Sequence, residues 1–225
     1  VELDGEVIDT AQRVERARQA PLYFAAHKPK GVISTARDPE GRVNVLSLVA
    51  GRLPRGRRVY PVGRLDADST GLVLLTDDGE LAHRLAHPHH GVAKEYHVTA
   101  EGALDAATLE RLRRGFYLAG PDAIARSKAA GRGGGARRAA LEDVRILKRW
   151  TDRRTGGLAL LSIVLREGQN REIRRLLVHV GLKVRRLERV AIGPLRLGAL
   201  KPGAARPLTA AEVAALRGVV LLPAR

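Results

Sequence analysis

The sequence predicts an α+β fold. Short strand-like apolar runs recur along its 225 residues, and only a few short helical patterns fall between them. The two types do not alternate regularly, as a doubly wound sheet requires. No internal repeat is present to suggest a solenoid or propeller.

Taken in order, residues 1–8, VELDGEVI, read as two short strands around an Asp4-Gly5 hairpin turn. Residues 11–20 are polar and basic, a linker. Leu22 to Ala26 suits a strand, HKPKG a loop, and Val32 to Thr35 a second strand. DPEGR at 38–42 is a turn, and GRLPRGRR at 51–58 a basic loop. Val59 to Val62 is a short strand, and Leu72 to Thr76 is apolar enough for a buried one. Asp78 can N-cap a helix through about Ala86, with Glu80 in its first turn and Pro88 as its stop.

KEYHVTAEG at 94–102 reads as a strand, and Asp105 can cap a helix over about 106–114. Residues 125–140 form a Gly- and Arg-rich segment without apolar period, expected as a flexible cationic loop. LEDVRILKRW resumes strand character. LALLSIVL at 158–165 is the strongest strand and is expected at the centre of the sheet. Ile173, Leu176, Leu177 and Val180 share one helical face, stopped by Gly181. Val184 to Leu187 and Val190 to Ile192 read as two short strands, and KPGAARPLT as a loop. Thr209 and Glu212 form a capping box for a last helix to about Arg217.

Composition narrows the function. The formal net charge is +16 and the sequence pI about 11.2, a large imbalance that points to a polyanionic partner. Arginine supplies most of it, and guanidinium groups bind phosphate bidentately and stack on bases, which suits RNA. A GC-rich genome would account for the Arg:Lys ratio but not for the excess of base over acid. The absence of Cys excludes disulfides, thiolate metal sites and Cys nucleophiles. No run reaches about 18 apolar residues and no signal pattern opens the chain, so a cytoplasmic protein without membrane contact is expected. Phosphate-loop, dinucleotide-loop and zinc-protease motifs are absent. His87, His89 and His90 cluster in a loop; with no Cys or matching acidic partner, solvated histidines outweigh a metal site.

The stretch GRLDADSTGL at 63–72 sets two carboxylates, Asp66 and Asp68, beside Arg64 in this basic chain. Aspartate is common in turns. As a reacting group, Asp66 would need three things: ionisation at neutral pH, a strand end as scaffold, and a substrate. An unperturbed Asp ionises at about pH 3.9, and Arg64 or the basic helix at 171–175 would favour the charged form further. VLLT supplies the scaffold, and the charge points to nucleic acid. A glycosidase-type carboxyl pair is disfavoured, because residues two apart on a loop rarely face each other across the required gap of about 5 to 9 Å.

GRLDADSTGLVLLTDDGEL, with KPKG upstream and KEYHV downstream, resembles the ribosomal pseudouridine synthases of the RsuA/RluB type. DPEGR, the HP after the helix, EGQNREIRRLL and R-L-x-R-V-x-I-G-P-L follow in that family's order, so the similarity runs from about Pro21 to Thr209. The resemblance implies a pseudouridine synthase fold, a central mixed or antiparallel sheet flanked by helices, with an active cleft across it. It implies that residues 21–225 form the catalytic domain, as two subdomains around that cleft.

The resemblance also implies roles. Asp66 matches the catalytic aspartate, Tyr96 the tyrosine that stacks on the target base and acts in proton removal, and Arg174 the basic residue that pairs with the aspartate. Arg64 matches the motif arginine near RNA. Lys28, Lys30, Lys94, Arg171 and Arg175 are expected as further RNA contacts, and Leu176 as packing against the base. No metal and no organic cofactor is implied. The expected partner is ribosomal RNA, with 23S rRNA favoured over 16S from KPKGVISTARDPEGR; DNA is not expected, and a monomer is.

Gln169 stands where the family usually has Arg or Lys, and Glu172 where Gln is common, which weakens RNA contacts inferred there. VELDGEVI resembles the final hairpin of an S4 RNA-binding domain. With no Met in the chain, residues 1–20 are read as a truncated or degenerate S4 remnant plus linker. The rival from another class is an idle RNA-binding or ribosome-assembly factor on the same scaffold, against which the Asp66, Tyr96 and Arg174 set argues. A nucleoside hydrolase is more distant still. The target lies within stacked RNA, so the base must be flipped out, at a cost of a few kcal/mol that an aromatic platform and a basic groove can offset.

Overall fold

Local capping chemistry sets where three of the four described helices begin. The computed structural model of the chain describes residues 2–3, 6–7, 20–36, 38–118, 137–139, 141–152, 156–166 and 171–221. Helix α1 spans Gly79–Ala86, and the Asp78 carboxylate accepts from the Leu81 amide at 3.0 Å. Helix α2 spans Ala106–Arg114, with Asp105 accepting from the Thr108 amide at 2.7 Å. Helix α3, Glu172–His179, has no side-chain cap; Gly181, at φ 82°, follows it and donates to Val178 at 3.0 Å. Helix α4, Ala210–Leu221, starts at the reciprocal Thr209–Glu212 box: each backbone amide donates to the other side chain, at 2.9 and 3.2 Å.

The strands are β1 (Glu2–Leu3), β2 (Glu6–Val7), β3 (Tyr23–Lys28), β4 (Tyr60–Pro61), β5 (Thr70–Thr76), β6 (Lys94–Glu101), β7 (Phe116–Leu118), β8 (Arg137–Ala139), β9 (Asp143–Asp152), β10 (Gly156–Leu165), β11 (Lys183–Ile192), β12 (Leu195–Arg196) and β13 (Ala205–Pro207). The main sheet runs β13-β3-β5-β11-β6-β10-β9, with β4 beside β5 and β12 beside β11. Every pairing along it is antiparallel except β5 with β11, a parallel junction of two residue pairs, Glu188 with Thr70 and Arg189 with Gly71. This mixed sheet with flanking helices is the α+β class read from the sequence.

Alternation along β5 explains the two cores. Val73 and Leu75 face one layer, with Val98, Leu161, Ile163, Leu176 and Leu177. Leu72 and Leu74 face the other, with Leu81, Leu85, Ile192 and Leu216. A strand buried on both faces reads as one continuous apolar run, which GLVLLT does.

Four expectations differ from the fold. LALLSIVL lies one strand in from the edge, between β6 and β9, and one side of its first half, Leu158 and Leu160, is only half-buried. Val32 to Thr35 holds only an isolated bridge, Ile33 with Asn44. The two short strands at 184–192 are a single strand; register shifts after Val184 and after Arg189 carry it past β6 without a break. The loop at 201–209 contains β13, an edge strand that ends on Pro207, where no ladder hydrogen bond is needed from the missing N–H.

The strands expected at 1–8 are present and pair antiparallel, Glu2 with Val7 and Leu3 with Glu6. Their Asp4-Gly5 turn, the linker at 11–19, most of the Gly/Arg-rich segment and Gln169 lie outside the described residues. No described helix is long and apolar enough to cross a membrane.

Candidate active site

The loop Arg64–Ser69 enters β5 at the parallel junction, and its backbone is tied down at nearly every carbonyl. Arg189 Nη1 donates to the Arg64 carbonyl at 3.3 Å and the Ser34 hydroxyl to that of Leu65 at 3.1 Å. The Ser69 amide donates to Asp66 O at 3.0 Å and the Gly31 amide to Ala67 O at 2.7 Å. Lys28 Nζ reaches Ala67 O at 3.4 Å as well. Gly71 is required just beyond, at φ 114°, where a Cβ would overlap the Arg189 backbone.

This clamped loop forms one wall of a cleft of about 360 Å3. Arg64, Asp66, Lys94, Tyr96, Arg171 and Arg174 all line it, so six of the ten expected site residues converge there. The Asp66 side chain is 33% exposed. Tyr96, 8% exposed, stands on β6 directly opposite Arg189 of β11.

Arg171 joins the far wall to the loop. It is the only described non-glycine residue at positive φ, 50°, at the start of α3. Its guanidinium takes Asp68 bidentately at 3.0 and 3.2 Å and reaches Asp66 Oδ2 at 3.5 Å. Arg174 lies 3.3 Å from Asp68 Oδ2 and donates to the Asp68 carbonyl and the Ser69 hydroxyl. The expected Arg174–Asp66 pair is therefore replaced by Arg174–Asp68 with Arg171 between the two carboxylates. Arg171 precedes Arg174 by about one helical turn, and from the left-handed start of α3 it reaches both carboxylates. Burial alone would raise the Asp68 carboxyl, but the Arg171 hydrogen bond and the Arg174 charge outweigh it and hold it below the usual range.

Burial bears on two other expectations. Lys28 was expected on RNA, yet it is fully buried and donates to Pro29, Val32 and Ala67 carbonyls, so its charge supports the loop from beneath. Burial pushes it down to about 8; Asp68 and Asp66 oppose that shift and Arg189 reinforces it. Leu176 is buried in the core and absent from the cleft wall, where Ile173 takes the place expected of it. Lys30 is exposed and Arg175 half-buried, both outside the cleft.

Arg189 was not singled out from the sequence. It is 2% exposed and lines the cleft floor beside Lys94. Its signal lay in R-L-x-R-V, where hydrophobic neighbours within a strand mark an inward-facing arginine. His87, His89 and His90 stand on the turn after α1, ring centroids 5.7 to 6.4 Å apart. The described residues bring no three His, Asp or Glu side chains together at metal-binding spacing.

A model of the RNA pseudouridylate synthase family matches residues 22–179. The chain is 38% identical over 228 residues to the ribosomal large subunit pseudouridine synthase B of Salmonella typhimurium, covering 99% of this chain and 68% of that one. It is 36% identical over 217 residues to an uncharacterized RNA pseudouridine synthase of Aquifex aeolicus, covering 96% and 74%. Among solved structures, a pseudouridylate synthase crystal structure superposes with a TM-score of 0.63 at 28% identity, covering 88% of this chain and 74% of that one. Human RNA pseudouridylate synthase domain containing 1 shares the fold at a TM-score of 0.52 and 11% identity, covering 92% and 94%.

Proposed function

The chain belongs to the RNA pseudouridylate synthase family, an isomerase family, and from that premise we propose that it converts a uridine of 23S ribosomal RNA to pseudouridine with Asp66 as the reacting carboxylate. The observation that carries this reading is the partly exposed Asp66 carboxylate in a cleft that also presents Tyr96 and is rimmed by Arg64, Arg171 and Arg174. Relatives named ribosomal large subunit pseudouridine synthase B support the RNA class and the subunit.

The reaction needs no redox partner. The target nucleotide leaves the stack and its base enters the cleft against the Tyr96 ring, with the phosphates held at the arginine-lined rim. Asp66 adds to C1′ of the ribose as the C1′–N1 bond breaks, and that bond's electron pair leaves with the uracil. The uracil turns, C5 bonds to C1′, and the Asp66 oxygen departs. The C5 proton is then lost, with Tyr96 as the acceptor, and N1 gains one. Arg171, 3.5 Å from Asp66 Oδ2, aims that carboxylate.

The paired strands Glu2–Leu3 and Glu6–Val7 support an S4-like reading of the first 20 residues, an added RNA contact. The site operates without metal or organic cofactor, and the enzyme acts as a cytoplasmic monomer.

Pseudouridine mapping of both ribosomal RNAs from a strain lacking the gene tests the reading, with add-back of wild type or Asp66→Asn. One 23S position should lose its modification, regain it with wild type, and stay unmodified with Asp66→Asn, which keeps fold and RNA affinity. Substantial modification by Asp66→Asn would overturn the mechanism, and a lost 16S position would move the target.

A further inference from the structure

Arg189 is a charged side chain at the cleft floor whose hydrogen bonding is unfinished. Its Nε donates to the Leu72 carbonyl in β5 at 2.7 Å and its Nη1 to the Arg64 carbonyl at the start of the Asp66 loop. Its Nη2 is buried with no partner among the described residues. No carboxylate pairs with it among the described residues, since Asp66 and Asp68 are engaged by Arg171 and Arg174 on the other wall. Guanidinium does not lose its proton, so the charge stays.

Lys94 sits two residues from Tyr96 on the same face of β6, also in the cleft wall, and among the described residues makes a single hydrogen bond, to the Val92 carbonyl at 3.1 Å. Burial first, and then Arg189, bring it down to about 8. Two cations on a half-closed floor with an orphaned donor describe a site prepared for negative charge.

We propose that Arg189 Nη2 donates to a carbonyl oxygen of the flipped pyrimidine and, with Lys94, stabilises the negative charge that gathers on the base as the C1′–N1 bond breaks. The inference rests on the pseudouridine synthase reading above. When that bond's electron pair departs with the uracil, its charge spreads over N1, O2 and O4. A donor fixed at one of those oxygens therefore binds the transition state more tightly than the substrate. The guanidinium is held in place by the two bonds it already makes, so only the cover over Nη2 has to yield as the base enters. A backbone phosphate suits this floor poorly, because it would have to be carried past Tyr96 into a nearly solvent-free corner, whereas a planar base enters edge first.

Single-turnover cleavage with RNA carrying uridine or 5-fluorouridine at the target tests it, because fluorine makes the departing base more acidic and less in need of help. Arg189→Gln should slow the uridine substrate by about 10²- to 10³-fold and the 5-fluorouridine substrate by at least about tenfold less, with RNA affinity unchanged. Replacing O2 or O4 by sulfur identifies the oxygen: wild type slows at one of the two, and Arg189→Gln does not. Should Arg189→Gln fail to fold, Lys94→Gln must show the same smaller loss with the better leaving group. Equal losses on both substrates, or none, would overturn the inference and leave Arg189 as a strap for the loop. A loss confined to RNA affinity would make the floor a phosphate site and overturn it as well. A wild type that modifies no ribosomal uridine would overturn the parent reading, and the inference with it.

Discussion

Arg171 holds Asp66 and Asp68 with one guanidinium: Nη1 lies 3.5 Å from Asp66 Oδ2 and 3.2 Å from Asp68 Oδ1. Asp68 thus fixes the arginine that steadies Asp66. The residue also adopts a left-handed backbone at the first turn of α3. Such a conformation costs a non-glycine residue about 1 kcal/mol or more.

Those two roles separate experimentally. Arg171→Ala should lose most of the pseudouridine-forming activity while keeping the backbone strain. Arg171→Gly should lose the same activity yet be more stable than Arg171→Ala by about 1 kcal/mol, read from urea denaturation midpoints. Equal stability of the two variants would show that the strain is not stored there.

Gly71→Ala should be severely destabilising, by about 3 kcal/mol, since it combines a positive φ with overlap of the Arg189 backbone. Thermal unfolding would show the loss, and activity at low temperature should fall with it, because the Asp66 loop leads into Gly71.

Stability should depend on pH through Lys94. Burial, with Arg189, brings its folded value to about 8 from an ordinary 10.5. The unfolded chain then holds its proton to higher pH than the folded one. The penalty for burying the charge is complete below pH 8 and fades as pH rises toward 10.5. Wild type should therefore gain stability relative to Lys94→Met across that window, by denaturant titration at several pH values. A difference that stays flat would place Lys94 in solvent.

Binding to ribosomal RNA should weaken steeply with salt, since each arginine–phosphate contact releases counterions. Removing a rim residue, as in Arg64→Ala, should lower the slope of log affinity against log salt by about 1, whereas Lys28→Met should leave the slope unchanged because Lys28 is buried.

What could be read from the sequence was chiefly local. Asp78, Asp105 and the Thr209–Glu212 box each sit within three residues of the amides they cap, so the sequence shows both partners. The position of LALLSIVL in the sheet was not legible, because apolarity reports burial and not which strands lie alongside. KPKG looked like a surface run, yet Lys28 points inward at the end of β3, where three carbonyls wait that belong to other parts of the loop region. In KVRRLERV, Arg185 and Arg186 are exposed and Arg189 is buried. The register shifts within β11 decide which arginine turns inward, and they arise from pairing with β6. Asp66, Tyr96 and Arg174 were placed in one cleft by motif resemblance; the division of arginines between Asp66 and Asp68 needed coordinates.

The two-pair seam between β5 and β11 gives the enzyme an internal assembly check. One antiparallel half, β13-β3-β5, delivers Asp66; the other, β11-β6-β10-β9, delivers Tyr96, Lys94 and Arg189. Each half satisfies most of its own backbone, but neither contains both Asp66 and Tyr96. On the proposed mechanism reactivity belongs to the junction, so a chain that is helical, stranded and compact but parted along this seam should be chemically silent.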